Sequence, residues 1–194
     1  AQKVCAGELK NAFVFTGYGD HHAARDFFGG GCYFNGAAIA IRELEASNPT
    51  LRYAVIDTDV HHGDGSWELF ENDRRILYVC FCNGASAEKN LNVNVHVPLQ
   101  ITDAEYLGLV SAILQKRLRD FRPQLIFWNW GYDGTMGEYG DMGLTPESHE
   151  RLTSVLKEMA EELCRGRLIV VLCGGSRRDL ARLIIPRVIR NLIS

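Results

Sequence analysis

The sequence predicts an α/β fold of three layers, with helices flanking both faces of a mostly parallel β-sheet. Three observations carry this expectation: strand-like and helix-like segments alternate, the strand-like ones are almost continuously apolar, and four of them run out into ionisable clusters. An apolar strand without polar alternation is one buried on both faces, and open parallel sheets bind ligands beyond the carboxyl ends of their strands.

The elements follow in order. The opening Ala1-Gln2-Lys3 reads as helix. NAFVFT (11–16) is short and β-prone, and the glycines of GYGDHH turn the chain out of it. Beyond the FGGGC cluster, YFNGAAIAIRELEAS (33–47) has the spacing and the Ala, Leu and Glu content of an amphipathic helix. LRYAVIDTDV (51–60) and RRILYVCFC (74–82) are strands. ITDAEYLGLVSAILQKRLRDF (101–121) is a long helix with Thr102 or Asp103 as N-cap, and PQLIFWNWG (123–131) is again a strand. TPESHERLTSVLKEMAEELC (145–164) opens with Thr145 as N-cap, Pro146 at the first helical position and acidic residues in the first turn. RLIVVLCGG (167–175) is the last strand, and Asp179 starts the last helix.

With 194 residues, 46% of them hydrophobic, the chain can bury one sizeable core, so a single domain over 1–194 is expected. A formal net charge of −3 gives no basic footprint for nucleic acid and no polybasic run for a membrane surface, which leaves a diffusible substrate or a protein partner. The six cysteines lack zinc-ribbon or redox spacing and mostly sit in apolar runs, as buried thiols in a reducing compartment do. No stretch approaches the ~20 apolar residues of a membrane span, and the cytoplasm is the expected location. A chain that opens without Met, already in a helix, is expected to be processed or incomplete.

IDTDVHHGDG (56–65) gathers three aspartates and two histidines at a strand end. The period of two puts Asp57, Asp59 and His61 on one face and Thr58, Val60 and His62 on the other. Asp59 and His61, joined by Asp133 from the WGYDG exit, would hold one divalent cation with a position open to water, the arrangement of a catalytic zinc. Oxygen-rich ligation keeps Fe2+ and Mn2+ as alternatives. A lone D-x-D is as often a loop cap. Here, four of the six histidines form two adjacent pairs, His21-His22 and His61-His62, each just after an apolar strand. Hydrolysis needs a proton acceptor and a donor, which a histidine pair supplies, and each imidazole needs a carboxylate behind it, for which Asp57 and Asp64 are available. Gly63 and Gly65 read as turn residues. His62 is expected to be structural, His96 and His149 have no expected role, and Asp141 either caps a loop or shapes the site.

GYGDHHAARDFFGGGCYFNG, IDTDVHHGDG, WGYDG and VLCGG, in that order and at those separations, resemble the histone deacetylase family of the arginase and deacetylase fold class, and bacterial or archaeal members in particular. The resemblance implies a zinc-dependent amidohydrolase that removes an acetyl or other acyl group from an acyl-lysine or acetylpolyamine through a zinc-bound water and a histidine pair. It implies Asp59, His61 and Asp133 as zinc ligands, His22 as proton shuttle, His21 as electrostatic stabiliser, Asp57 and Asp64 as their carboxylate partners, and a structural K+ near Asp57. Gly30 and Gly31 fall in the substrate-channel segment, with Gly31 where the family commonly has an aromatic residue.

The chain departs from the family pattern elsewhere too. Where a tyrosine usually follows the glycine run, Arg177 stands beside Ser176, and it is expected either to hold the oxyanion or substrate or to form a helix-entry salt bridge. The N-terminal portion of the family domain is expected to be missing from this sequence, either through a break in the chain or because a companion chain supplies it, and a homo-oligomer is the other expected partnership. The alternative function is a catalytically weak acyl-lysine binding or scaffold protein. A binuclear manganese ureohydrolase ranks last, because WGYDGTMGEYGD lacks a dense D-x-D.

Overall fold

The computed structural model describes residues 1–17 and 19–194. Its elements are α1 (Gln2–Cys5), β1 (Asn11–Val14), α2 (Gly36–Ser47), β2 (Tyr53–Asp57), α3 (Asp64–Phe70), β3 (Ile76–Cys82), β4 (Ala87–Lys89), β5 (Asn92–His96), α4 (Asp103–Phe121), β6 (Leu125–Trp130), α5 (Pro146–Cys164), β7 (Leu168–Leu172) and α6 (Arg178–Ile193). The strands form one sheet in the order β1-β7-β6-β2-β3-β5-β4, parallel throughout except for the antiparallel β4 at one edge. All residues of β2, β3 and β6 are buried, which is why these strands read as unbroken apolar runs.

Side-chain alternation divides the core into two layers. Ala54, Ile56, Val79 and Trp128 face α4, α5 and α6, where Leu114, Leu156 and Val188 are fully buried. Tyr53, Val55, Tyr78 and Phe127 face α1, α2 and α3, against Val4, Ile41 and Phe70. Each such aliphatic side chain contributes roughly 1.5–3 kcal/mol on burial. α4 carries the predicted cap at Thr102, completed into a capping box by Glu105. Thr145 is the N-cap of α5, but its hydroxyl donates to Asp103 Oδ2 at 2.5 Å and so ties α5 to α4.

Two local expectations are corrected. HHGDG is not a free turn: Gly63 is the N-cap of α3 and Asp64 its first residue. Its glycines serve close approach, because a Cβ at Gly65 would meet the backbone carbonyl of Ala23 at 2.5 Å and one at Gly63 would meet the Tyr78 hydroxyl at 2.3 Å. The helix expected from residue 33 begins at Gly36, with the Asn35 side chain accepting from Ala38 N. Among the described residues there is no disulfide, and four of the six free cysteines are buried. Among the described residues no helix is long and apolar enough to cross a membrane.

The chain fills β2, α3, β3 and β5 to one side of β2, then returns across the sheet to place β6 on the other side. The strand order reverses between β2 and β6, so the crevice beyond their carboxyl ends is the switch point at which such sheets hold ligands.

Candidate active site

Three side chains meet at that switch point. Asp59 and His61 follow β2, and Asp133 follows the neighbouring β6 through the turn at Gly131. His61 Nδ1 lies 3.0 Å from Asp59 Oδ1 and 3.0 Å from Asp133 Oδ2. Nδ1 carries at most one proton, so it cannot serve both carboxylates. Asp133 Oδ2 is left as a buried oxygen without a hydrogen-bond partner among the described residues. Glycines make the crowding possible: a Cβ on Gly174 would lie 2.4 Å from Asp59 Oδ2, and one on Gly131 would lie 2.4 Å from Asp133 Oδ1. Gly174 N donates to Asp59 Oδ2 at 2.7 Å, which ties the β7 exit to the group.

Two histidine–aspartate dyads stand beside it. His21 Nδ1 meets Asp57 Oδ2 at 2.9 Å, and His22 Nδ1 meets Asp64 Oδ1 at 2.6 Å. With both Nδ1 atoms occupied, Nε2 is the nitrogen left for proton traffic in each ring; that of His21 is 3.7 Å from Asp59 Oδ1. The loop bearing the pair is pinned from several sides. Ser66 N donates to His21 O at 2.9 Å, and Asn35 Nδ2 donates to Ala23 O at 3.2 Å and to Ser66 Oγ at 3.0 Å. The carboxylate of Asp20 accepts from Ala37 N at the start of α2, where a helix N-terminus favours an anion. Tyr78, on β3, donates to Asp57 Oδ2 at 2.9 Å and holds that carboxylate against His21.

Burial alone would drive the proton off His21, but Asp57, Asp59 and Asp133 together raise its pKa to about 10. For His61 the adjacent carboxylates of Asp133 and Asp59 outweigh burial, again to about 10. Burial and the neighbouring Asp59 push Asp133 up to about 7. Asp59 itself, opposed by burial, is held below the usual carboxylate range by His21 and by hydrogen bonding with His61. Three buried carboxylates, Asp57, Asp59 and Asp133, therefore crowd this site. A buried oxygen without a partner, a glycine-lined cradle and an Asp-His-Asp donor set are what a single divalent cation fits.

The cluster opens into a cavity of about 470 Å3 lined in part by His21, His22, Gly30, Gly31 and Tyr139. Residues 1–192 match the histone deacetylase domain family. The chain belongs to the histone deacetylase family. It is 31% identical over 189 residues to a probable deacetylase of Archaeoglobus fulgidus, covering 90% of this chain and 52% of that protein. Histone deacetylase HDA1 of Saccharomyces cerevisiae is 29% identical over 198 residues, 91% of this chain and 28% of the yeast protein. The crystal structure of the HDA15 HD domain superposes with a TM-score of 0.84 at 26% identity, covering 99% of this chain and 60% of that one. The deacetylase fold is thus present, on a chain that spans about half the length of its archaeal relative.

Of the residues expected from the sequence, Asp59, His61, Asp133, His21, His22, Asp57 and Asp64 come together, and Gly30 and Gly31 line the cavity. Arg177, expected as an oxyanion or substrate contact, does not join them. Its guanidinium pairs with Asp179, Nη2 to Oδ2 at 2.5 Å, and donates to Gly137 O at 3.2 Å, the helix-entry salt bridge that was the other reading. The local pairing wins because Asp179 is two residues away on the same helix start. Ser176 is also spent, donating from N and Oγ to Glu138. Asp141 is a loop cap, accepting from Gly137 N and Gly143 N.

Sequence reasoning missed three residues in this family site. Tyr78 carried no signal beyond an aromatic in a strand. Glu138 is buried and accepts Ser176 N, Arg177 N, Ser176 Oγ and Tyr139 N, holding the β6 loop to the start of α6. Tyr139 stacks on His61 with ring centroids 5.6 Å apart. A second group, His62 with Cys80 and Cys82, has ligand-type atoms within 4.8 Å of one another. Asn94 Oδ1 lies 3.0 Å from His62 Nδ1 and 3.1 Å from Cys82 Sγ, and Cys80 Sγ donates to His61 O, which fits the structural role expected of His62.

Proposed function

We propose that this chain is a metal-dependent amide hydrolase that removes an acetyl or other acyl group from an acyl-lysine or acetylpolyamine. The observation that carries the reading is the Asp59–His61–Asp133 group flanked by two histidine–aspartate dyads at the base of one cavity. Asp59, His61 and Asp133 would hold Zn2+, with Fe2+ or Mn2+ as alternatives, and such an ion supplies Lewis acidity and brings the pKa of a water molecule down towards 7.

The chain's own residues divide the proton work. His22 is partly exposed and paired with Asp64, which solvent also reaches, so protons pass between the cavity and bulk water through this dyad. It takes the proton from the attacking water and delivers it to the departing amine. His21 is sealed from solvent among Asp57, Asp59 and Asp133, and these carboxylates favour its charged form. It supports the developing negative charge and is not the shuttle. Asp57 and Asp64 fix the ring orientations through Nδ1, leaving Nε2 towards the reacting atoms. Gly30 and Gly31 keep the cavity wall free of side chains, which suits a slender aliphatic amine chain.

The runner-up, an acyl-lysine binding or scaffold protein, draws support from the engagement of both Ser176 and Arg177 away from the cavity. Turnover of acetyl-lysine peptides and acetylated polyamines by zinc-loaded and chelated protein separates the two. Chelator-sensitive hydrolysis is expected; peptide binding with no turnover of either substrate by the folded, zinc-loaded protein would sink the hydrolase reading.

A further inference from the structure

Acyl transfer from an amide places negative charge on the carbonyl oxygen, and a site that performs it needs a donor aimed at that oxygen. Most candidate donors beside Asp59, His61 and Asp133 are already engaged. Gly174 N donates to Asp59, Gly175 N to Tyr139, Ser176 N and Arg177 N to Glu138, and the Arg177 guanidinium to Asp179 and Gly137 O.

Tyr139 is different. Its ring lies on His61, 5.6 Å between centroids at an interplanar angle of 24°, and it lines the same cavity as His21 and His22. Its hydroxyl oxygen accepts from Gly175 N at 3.1 Å, and its own proton donates to no group of the described residues. Donation into the phenolic oxygen polarises the O–H bond and strengthens it as a donor. Glu138, one residue earlier, bonds the N-terminus of α6 and fixes the loop from which Tyr139 projects.

We propose that Tyr139 is a catalytic residue, its phenol O–H donating to the substrate's acyl oxygen as charge develops there; this rests on the hydrolase reading above. As the water oxygen adds to the acyl carbon, the π pair of the carbonyl moves onto its oxygen, and the water proton goes to His22. Tyr139 hydrogen-bonds that oxygen and keeps its own proton. The pair then returns to re-form the carbonyl as the C–N bond breaks, and the amine departs with the proton from His22. The products are a carboxylic acid and an amine, with no other reagent consumed.

Tyr139→Phe retains the ring on His61 and deletes only the hydroxyl. In the zinc-loaded protein kcat on an acetyl-lysine peptide is expected to fall by about 100- to 1,000-fold, with KM and zinc content little changed. A trifluoromethyl ketone analogue of acetyl-lysine, which hydrates to a mimic of the tetrahedral state, is expected to lose affinity by a comparable factor. Turnover and ketone affinity in Tyr139→Phe equal to those of the parent would overturn the assignment. A parent that hydrolyses nothing, yet binds the ketone in a way that needs the Tyr139 hydroxyl, would defeat the hydrolase reading and leave Tyr139 as the donor.

Discussion

The indole N–H of Trp130 donates to His149 Nδ1 at 3.1 Å, which fixes the proton of that buried imidazole on Nε2, facing Thr135 Oγ1 at 2.8 Å. Thr135 in turn donates to Tyr132 O at 2.6 Å. The chain of bonds straps α5 to both ends of the turn that presents Asp133, so a histidine without a sequence signal is part of the frame of the candidate site.

That imidazole is buried as the neutral form, and burial lowers its pKa from 6.5 to about 4. Between those values the unfolded chain binds a proton that the native state refuses, so stability rises with pH across this window and is lost as pH falls through it. The contribution is on the order of 3 kcal/mol. His149→Gln keeps an acceptor for Trp130 and a donor for Thr135 but does not titrate. Urea midpoints measured on either side of the window are expected to depend less steeply on pH in this variant than in the parent; equal slopes would refute the assignment.

Glu138 joins loops almost forty residues apart. Burial opposes its ionisation, but hydrogen bonds from Arg177 N, Ser176 N, Ser176 Oγ and Tyr139 N hold its carboxyl below the usual range. Glu138→Ala leaves those donors at the start of α6 without their acceptor, a cost of about 1–3 kcal/mol. It also frees the loop bearing Tyr139. Thermal melting and kcat should fall together, while zinc content stays near that of the parent because no ligand is touched.

Gly30 has φ of 54°, and a Cβ there would meet His22 Cδ2 at 2.3 Å. Gly30→Ala therefore strains the backbone by about 1–2 kcal/mol and displaces the His22 ring from Asp64. Loss of kcat without loss of metal is the expected result, and restoration of the His22–Asp64 contact in a structure of a fully active variant would contradict it.

Parts of this site were legible and parts were not, for identifiable reasons. Asp57 could be placed because it ends an apolar strand, Asp59 and His61 because they follow it closely in the same short motif although the strand stops at Asp57, and Asp133 because β6 is an unmistakable apolar strand. Gly63 and Gly65 were misread as turn formers because a glycine kept small for a neighbour distant in sequence looks the same as one kept for its φ. Of the two readings kept open for Arg177, the oxyanion contact fails because register from the glycine run ignores a carboxylate two residues on. Tyr139 lies in an irregular loop whose position depends on Glu138 reaching residues 176 and 177, and no periodicity reports such a bridge.

The metal group gives the most direct test. Asp59, His61 and Asp133 leave one buried carboxylate oxygen unpartnered among the described residues, and a dication binding only the native state would satisfy it. Added stability then follows mass action, about 2.7 kcal/mol at a free ion concentration 100 times Kd. Zinc titrated into chelator-treated protein should bind at one equivalent per chain and raise the melting temperature, and the rise should vanish in Asp59→Ala and Asp133→Ala. Cys82→Ser should leave it intact, because Cys82 Sγ and His62 Nδ1 are both hydrogen-bonded to Asn94 Oδ1. Two equivalents in the parent, with one lost in Cys82→Ser, would show instead that the second cluster is also a metal site. No binding at all would remove the physical reason for packing two aspartates around His61.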